Sequence, residues 1–376
     1  MNSVKNFYLN SRHKLLCFFA LWALWATSQM LFAAETIVIH GPDALRKALQ
    51  KVTLDTQLKL APGEYGHGYY ITEVANLTID ALDVDNPPTF TGGNVAIHGS
   101  QCKNLTIKHL VLRGQKENGL NLDDGGNHIK EKSTSRSQFD LHQIVLEDIS
   151  ISEIGPRGNH DGIKCSGIHG LTIRKCHLVG WGGQGIDLVG CHQVLIDECS
   201  LKGKDGFSPS VGVQIKGGSS NVTVQKCQFK NAGERPINVG GSTGLDYFRP
   251  KGAPAEASKI VVKENQIEGS SCGVAFVGVD DALFEGNTIT NPTRWIIRIL
   301  QENNSPGMTA CSNVIVRENQ FQFLRKDLRE EVNIGPGTLP ETFRFINNRW
   351  IATDNPNRSK PKLPVAEEGG TYGLDK

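Results

Sequence analysis

One six-residue phrase returns along most of the chain and limits what the chain can fold into. It reads Ile173-Arg174-Lys175-Cys176-His177-Leu178, then Ile196-Asp197-Glu198-Cys199-Ser200-Leu201, then Val224-Gln225-Lys226-Cys227-Gln228-Phe229. It returns at 262–267, 284–289, 316–321 and 345–350, with Asn265, Asn287, Asn319 and Asn348 in place of the cysteine. Degenerate copies at 107–112 and 146–151 put Leu110 and Ile149 in that slot. Adjacent copies lie 22 or 23 residues apart, and longer gaps read as one such turn plus an inserted loop.

A period of this size, with alternating apolar positions and no helical periodicity, is the mark of a solenoid of short strands. No rung can bury its apolar side alone, so rungs stack at roughly 4.8 Å and share one core. The expected fold is all-β: a single-stranded right-handed parallel β-helix over 35–350, with a short N-terminal capping helix. That helix is read at about 42–52, where Leu45, Ala48, Leu49 and Val52 have helical spacing and Asp43 serves as N-cap. The tail at 351–376 is read as an extended segment that either covers the end of the solenoid or frays.

Residues 1–34 read as a signal peptide. Lys5, Arg12 and Lys14 precede an apolar run at 15–26, and Ala33-Ala34 supply small residues before Glu35. The run is shorter than the roughly 20 residues a membrane span needs, so the expectation is an exported protein, periplasmic or secreted, with no span after signal removal. A net charge of +1 argues against a nucleic-acid partner, which calls for a basic stripe. Of nine cysteines, Cys17 falls in the signal. The others read as compact apolar fillers of an internal stack rather than as disulfide staples. The asparagine column reads as a structural ladder.

The strand before each copy supplies a second alignment: 119–122, 162–165, 185–188, 212–215, 236–239, 273–276, 296–299 and 331–334. Alternation points the third residue outward, giving an external column of Asn121, Lys164, Asp187, Gln214, Asn238, Ala275, Arg298 and Asn333. Lys216 extends the same face, and Arg235 is read at the turn before its strand. Long insertions at 123–139, 242–258, 301–310 and 335–341 follow this strand and would wall the column into a groove.

The Leu60-Ala61-Pro62-Gly63-Glu64-Tyr65 segment after the helix, the rungs, and strings such as Asn159-His160-Asp161-Gly162 and Val213-Gln214-Ile215-Lys216 resemble right-handed β-helix proteins of the pectate-lyase superfamily. Within it, the likeness is closest to chondroitinase B-like and alginate lyases. The resemblance implies β-elimination of an acidic, uronate-containing polysaccharide by a monomer. Proton abstraction beside a carboxylate needs that carboxylate neutralised and a base in place. Lys216 is the candidate base, its pKa expected to be lowered by Arg235, while Arg235 and Arg298 suit the uronate carboxylate. Asp187 joins this catalytic set. Lys164, Gln214, Asn238, Asp161, His160, Tyr247 and Trp295 are the candidate substrate contacts, with Trp181, Tyr247 and Trp295 able to stack on sugar rings. No cofactor is firmly implied; calcium, which such lyases often gather, is left open, though one carboxylate is few for it.

Two alternatives stand beside the lyase. One is a glycoside hydrolase using the pair Asp161 and Asp187. The other is a non-catalytic polysaccharide-binding or envelope protein using the same groove.

Overall fold

The computed structural model describes residues 35–52, 55–126 and 141–374, so the expected signal peptide at 1–34 lies outside the described residues. Among the described residues no helix is long and apolar enough to cross a membrane. Among the described residues the strands form three parallel sheets of 12, 11 and 10 strands with one short α-helix, a β-helix solenoid. The first sheet runs from Glu35–Ile39 to Arg344–Ile346, the second from Thr89–Thr91 to Thr371–Tyr372, and the third from Tyr69–Thr72 to Val332–Ile334.

One rung shows why the sequence folds this way. His169–Arg174 in the first sheet leads to His177–Trp181 in the second and Gln184–Val189 in the third. Leu171, Ile173, Leu178, Ile186 and Leu188 point inward and are at most 2% exposed. The next rung repeats this in register, with Ile173 on Ile196, Leu178 on Leu201 and Ile186 on Val213.

Between the first and second sheets the chain turns through one residue of left-handed conformation: Lys175, Glu198, Lys226, Glu264, Gly286, Glu318 or Asn347. The next residue is the Cys/Asn slot, which the turn directs inward. Each asparagine there bonds to its neighbours: Asn265 Nδ2 donates to Asn287 Oδ1 (2.9 Å) and to Val224 O (3.0 Å). Asn287 to Asn319 and Asn319 to Asn348 repeat the link. The eight described cysteines are buried and free. Burial pushes the Cys191 and Cys272 thiols up to about 12, which keeps them protonated and inert.

Helix α1 (Pro42–Leu49) packs Leu45 onto the first rung. Its N-cap is Gly41, at φ 82°, and Asp43 lies inside the first turn, a correction to the sequence expectation. Pro42 sets the start, because its missing N–H would be unpaired there in any case.

Candidate functional site

The outward column of the third sheet is continuous. Asn121 pairs with Lys164, Lys164 with Asp187, Asp187 with Gln214, Gln214 with Asn238, Asn238 with Ala275, Ala275 with Arg298, and Arg298 with Asn333. Lys216 ends the strand Val211–Lys216, opposite Val189. Arg235 is the first residue of the strand Arg235–Gly240 rather than a turn residue before it, and sits opposite Val211.

The floor of this face is polar yet buried: Asp187 is 1% exposed, Asn238 2% and Gln214 5%. Gln214 and Asn238 satisfy one another. Gln214 Nε2 donates to Gly240 O, Asn238 Nδ2 donates to Gln214 Oε1 (3.0 Å), and Arg235 Nη1 donates to Asn238 Oδ1 (3.3 Å). Such a network fixes side-chain positions because every alternative strands a polar atom.

Cationic heads stand over it. Lys164 Nζ donates to Asp161 Oδ2 (2.9 Å) and Asp187 Oδ2 (2.8 Å), and Lys216 Nζ lies 3.2 Å from Asp187 Oδ1. The Lys164, Lys216 and Arg235 side chains remain 25, 21 and 19% exposed. Burial opposes the Lys164 ammonium, but the Asp187 and Asp161 carboxylates outweigh it and raise its pKa. Burial, then the Asp187 charge, raises the Asp161 carboxyl, with Lys164 opposing. The nearest ionic partner of Lys216 is thus a carboxylate. Arg235 Nη2 pairs with Glu302 at 2.8 Å, and Arg298 Nε donates to Asn333 at 3.0 Å. Burial, then the charge of Arg235, lowers the Arg298 pKa.

The insertions that follow these strands are tied to the sheet and to one another. Glu256, fully buried, accepts from Gly217 N (2.9 Å), Thr243 N (2.7 Å), Thr243 Oγ1 (2.7 Å) and Asn303 Nδ2 (2.8 Å), tying two insertions to one rung. Arg249 bonds Asp124 through Nε (2.8 Å) and Nη2 (3.0 Å). Most of the insertion expected at 123–139 lies outside the described residues.

Several expected contacts take other places. Asp161 is fully buried beneath Lys164 and accepts the Gln184 N–H at 2.9 Å, so it positions Lys164 and cannot touch a sugar. This also removes an accessible acid from the Asp161–Asp187 hydrolase pair. Trp181 is 1% exposed and donates to Val211 O, a core residue. Trp295 is 8% exposed, with the Arg294 and Arg298 guanidinium groups each 4.2 Å from its ring centre, so it orients arginines rather than presenting a platform. His160 packs against the turn glycines: a Cβ at Gly155 would lie 2.4 Å from its own. Tyr247 is 58% exposed. Among the described residues no group of three or more His, Cys, Asp or Glu could hold a metal ion. Asp187 is already shared by two ammonium groups, so calcium does not fit there.

Sequence reasoning missed Tyr70 and His98, which continue the same column: Tyr70 pairs with His98, and His98 with Asn121. Their strands precede the first clear copy of the repeat phrase. The signal available was alternation alone, in Tyr69–Thr72 and Val95–Ser100.

A family model described as the right-handed beta helix region matches residues 94–247. The chain has a right-handed parallel β-helix fold. It is similar to an alginate lyase from Paenibacillus, with 15% identity, a TM-score of 0.51 and coverage of 81% of this chain and 97% of that one. An exopolygalacturonase from Thermotoga maritima aligns at 13% identity and a TM-score of 0.56, covering 85% of this chain and 88% of that one. The A-module of the mannuronan C-5 epimerase AlgE4 from Azotobacter vinelandii aligns at 13% identity and a TM-score of 0.51, covering 82% and 90%. At such identities the likeness is one of fold. Among curated proteins, the uncharacterized protein YclG of Bacillus subtilis is 21% identical over 322 residues, 70% of this chain and 53% of that protein. The SPbeta prophage-derived uncharacterized protein YorA of the same organism is 21% identical over 256 residues, 61% of this chain and 40% of that protein. The chain thus spans about half or less of the curated relatives' length.

Proposed function

We propose that this is an exported carbohydrate-active protein that cleaves an acidic, uronate-containing polysaccharide by β-elimination. The observation that carries the reading is the inversion of charge across the site: the ammonium groups of Lys164 and Lys216 and the Arg235 guanidinium reach solvent, while the Asp161 and Asp187 carboxylates lie buried under them. A polyanion meets cations first. A hydrolase would need an accessible acid in that place. Similar solved structures include a lyase, a polygalacturonase and an epimerase, which supports a carbohydrate substrate.

In this reading Arg235 and Arg298 hold the uronate carboxylate. With the carboxylate neutralised, Lys216 gives its ammonium proton to solvent and its amine then takes the C5 proton. The C4–O bond then breaks, a C4–C5 double bond forms, and the new ammonium returns its proton to the leaving oxygen. Asp187 holds Lys216 over the sugar, and Lys164 holds Asp187.

The test is incubation of the protein with alginate, pectate, glycosaminoglycans and neutral glycans, following ultraviolet absorbance of unsaturated uronate together with reducing ends. Both should rise on a uronate polymer, and Lys216→Ala should lower the rate by at least about 100-fold while sparing binding. Reducing ends without unsaturated product, or an unimpaired Lys216→Ala variant, would overturn the mechanism.

A further inference from the structure

The far end of the same face carries groups that the elimination does not use. Tyr70 points outward between the buried Tyr69 and Ile71 and is 67% exposed, more than any other large hydrophobic side chain among the described residues. An exposed aromatic face on a rigid strand leaves burial energy uncollected until something lies on it. Its neighbour one rung on is His98, with ring centres 5.7 Å apart. The imidazole is locked: His98 Nε2 lies 2.6 Å from Asp123 Oδ2, Ser100 Oγ donates to Asp123 Oδ1 at 2.7 Å, and Asn121 Nδ2 donates to Asp123 Oδ2 at 3.3 Å.

We propose that Tyr70 and His98 form a second sugar subsite, selective for an uncharged ring, so that the substrate is a mixed polysaccharide in which neutral residues accompany the uronates. This deepens the function proposed above and rests on it. Position and charge carry the argument. Tyr70 lies five strands from the strand of Lys216 in the order of the third sheet, a span of roughly 24 Å, or about four to five sugar rings. The chain that reaches both ends therefore meets unlike surroundings. At one end stand Lys216, Arg235 and Arg298. At the other stands the Asp123 carboxylate: burial pushes its pKa up, but the bonds from His98, Ser100 and Gly125 hold it down at about 2, so it is an anion at any ordinary pH. A uronate there meets a carboxylate rather than the cations of the other end, whereas a neutral ring can stack its C–H face on Tyr70 and donate hydroxyls to Asp123 or the imidazole.

Calorimetric titration decides the matter, with hyaluronan, chondroitin and gellan oligosaccharides of four and ten residues as mixed chains, and alginate and pectate oligomers of the same lengths as all-uronate chains. Wild-type protein should bind a mixed ten-residue chain about tenfold more tightly than its four-residue fragment. Tyr70→Ala and His98→Ala should erase that gain and leave four-residue binding unchanged, and Tyr70→Ala should leave the melting temperature unchanged as well. If oligomers bind but the length dependence survives both substitutions, or all-uronate decamers match mixed ones, the subsite alone falls. If wild-type protein binds no oligomer at all, the function falls with it.

Discussion

At the scale of the residue, one slot per rung decides much of the stability. Asn319 Oδ1 accepts from Asn287 N (2.8 Å) and Asn287 Nδ2 (3.1 Å), while Asn319 Nδ2 donates to Phe284 O and Asn348 Oδ1, each at 2.9 Å. Asn319→Ala takes the side-chain acceptor from the buried Asn287 N–H and removes one bond each from Asn287 Nδ2, Phe284 O and Asn348 Oδ1, and about 3 kcal/mol of stability should be lost. Asn319→Cys should cost about half as much, since a thiol can accept in this slot: Cys199 N already donates to Cys227 Sγ at 3.4 Å. Urea unfolding of the two variants checks this, and an alanine variant within about 0.5 kcal/mol of wild type would refute the ladder's importance. This slot was legible in the sequence because it recurs at fixed phase. Asp161 was not: its type suggested a surface acid, and only the three-dimensional return of Lys164 over it shows why a carboxylate is buried there.

At the scale of the element, each sheet reads out a periodic column. On the first sheet one outward column alternates in sign, from Lys59 through Asp80, Lys108, Glu147 and Arg174 to Asp197. Neighbours pair at 2.6 Å (Lys59–Asp80), 3.4 Å (Lys108–Asp80) and 2.8 Å (Arg174–Glu147). Like charges on adjacent rungs would repel, so this order also fixes register. Strand columns follow from alternation and were readable; the loops were not, because Glu302 and Glu256 find their partners through insertions with no repeat. One loop anchor should respond to acid. His192 Nε2 lies 3.1 Å from Arg249 O in the second long insertion, and its Nδ1 lies 2.8 Å from Ser220 Oγ. Burial, then the neighbouring His169, lowers its pKa from 6.5 to about 4. Between those values the unfolded chain binds the proton and the folded one resists it, so stability falls as pH drops through that window, by up to about 3 kcal/mol. His192→Gln should flatten the melting-temperature profile between pH 7 and pH 4; an unchanged slope would show that other groups govern it.

At the scale of the whole molecule, a solenoid must close its ends, since an open rung exposes both core and unpaired strand edges. At the first rung, α1 lies on the core and the single Tyr65 Oη–H is shared between Ile39 O and Ala61 O, each 2.9 Å away. At the last, the tail does the work that the sequence left open between packing and fraying. Thr371–Tyr372 adds a final strand beside Arg349–Trp350, Glu368 bridges to Ile346, and Leu363 and Val365 pack on the core. Glu367 ends the asparagine ladder: its Oε1 accepts from Asn348 Nδ2 (2.8 Å), and its Oε2 accepts from Trp350 Nε1 (3.0 Å) and Tyr372 Oη (3.0 Å). Glu367→Ala removes the acceptor of the Trp350 indole and one acceptor of Asn348, so a loss of about 2 to 4 kcal/mol is expected. Removing 356–376 should go further, baring Phe345 and Trp350 with the edges of two sheets, and the shortened protein should associate through that end. Light scattering alongside thermal unfolding separates the two effects: Glu367→Ala should melt earlier yet stay monodisperse, whereas the truncation should both melt earlier and grow in mass. A truncated protein that remained monodisperse and melted with wild type would mean that the final rung needs no cover.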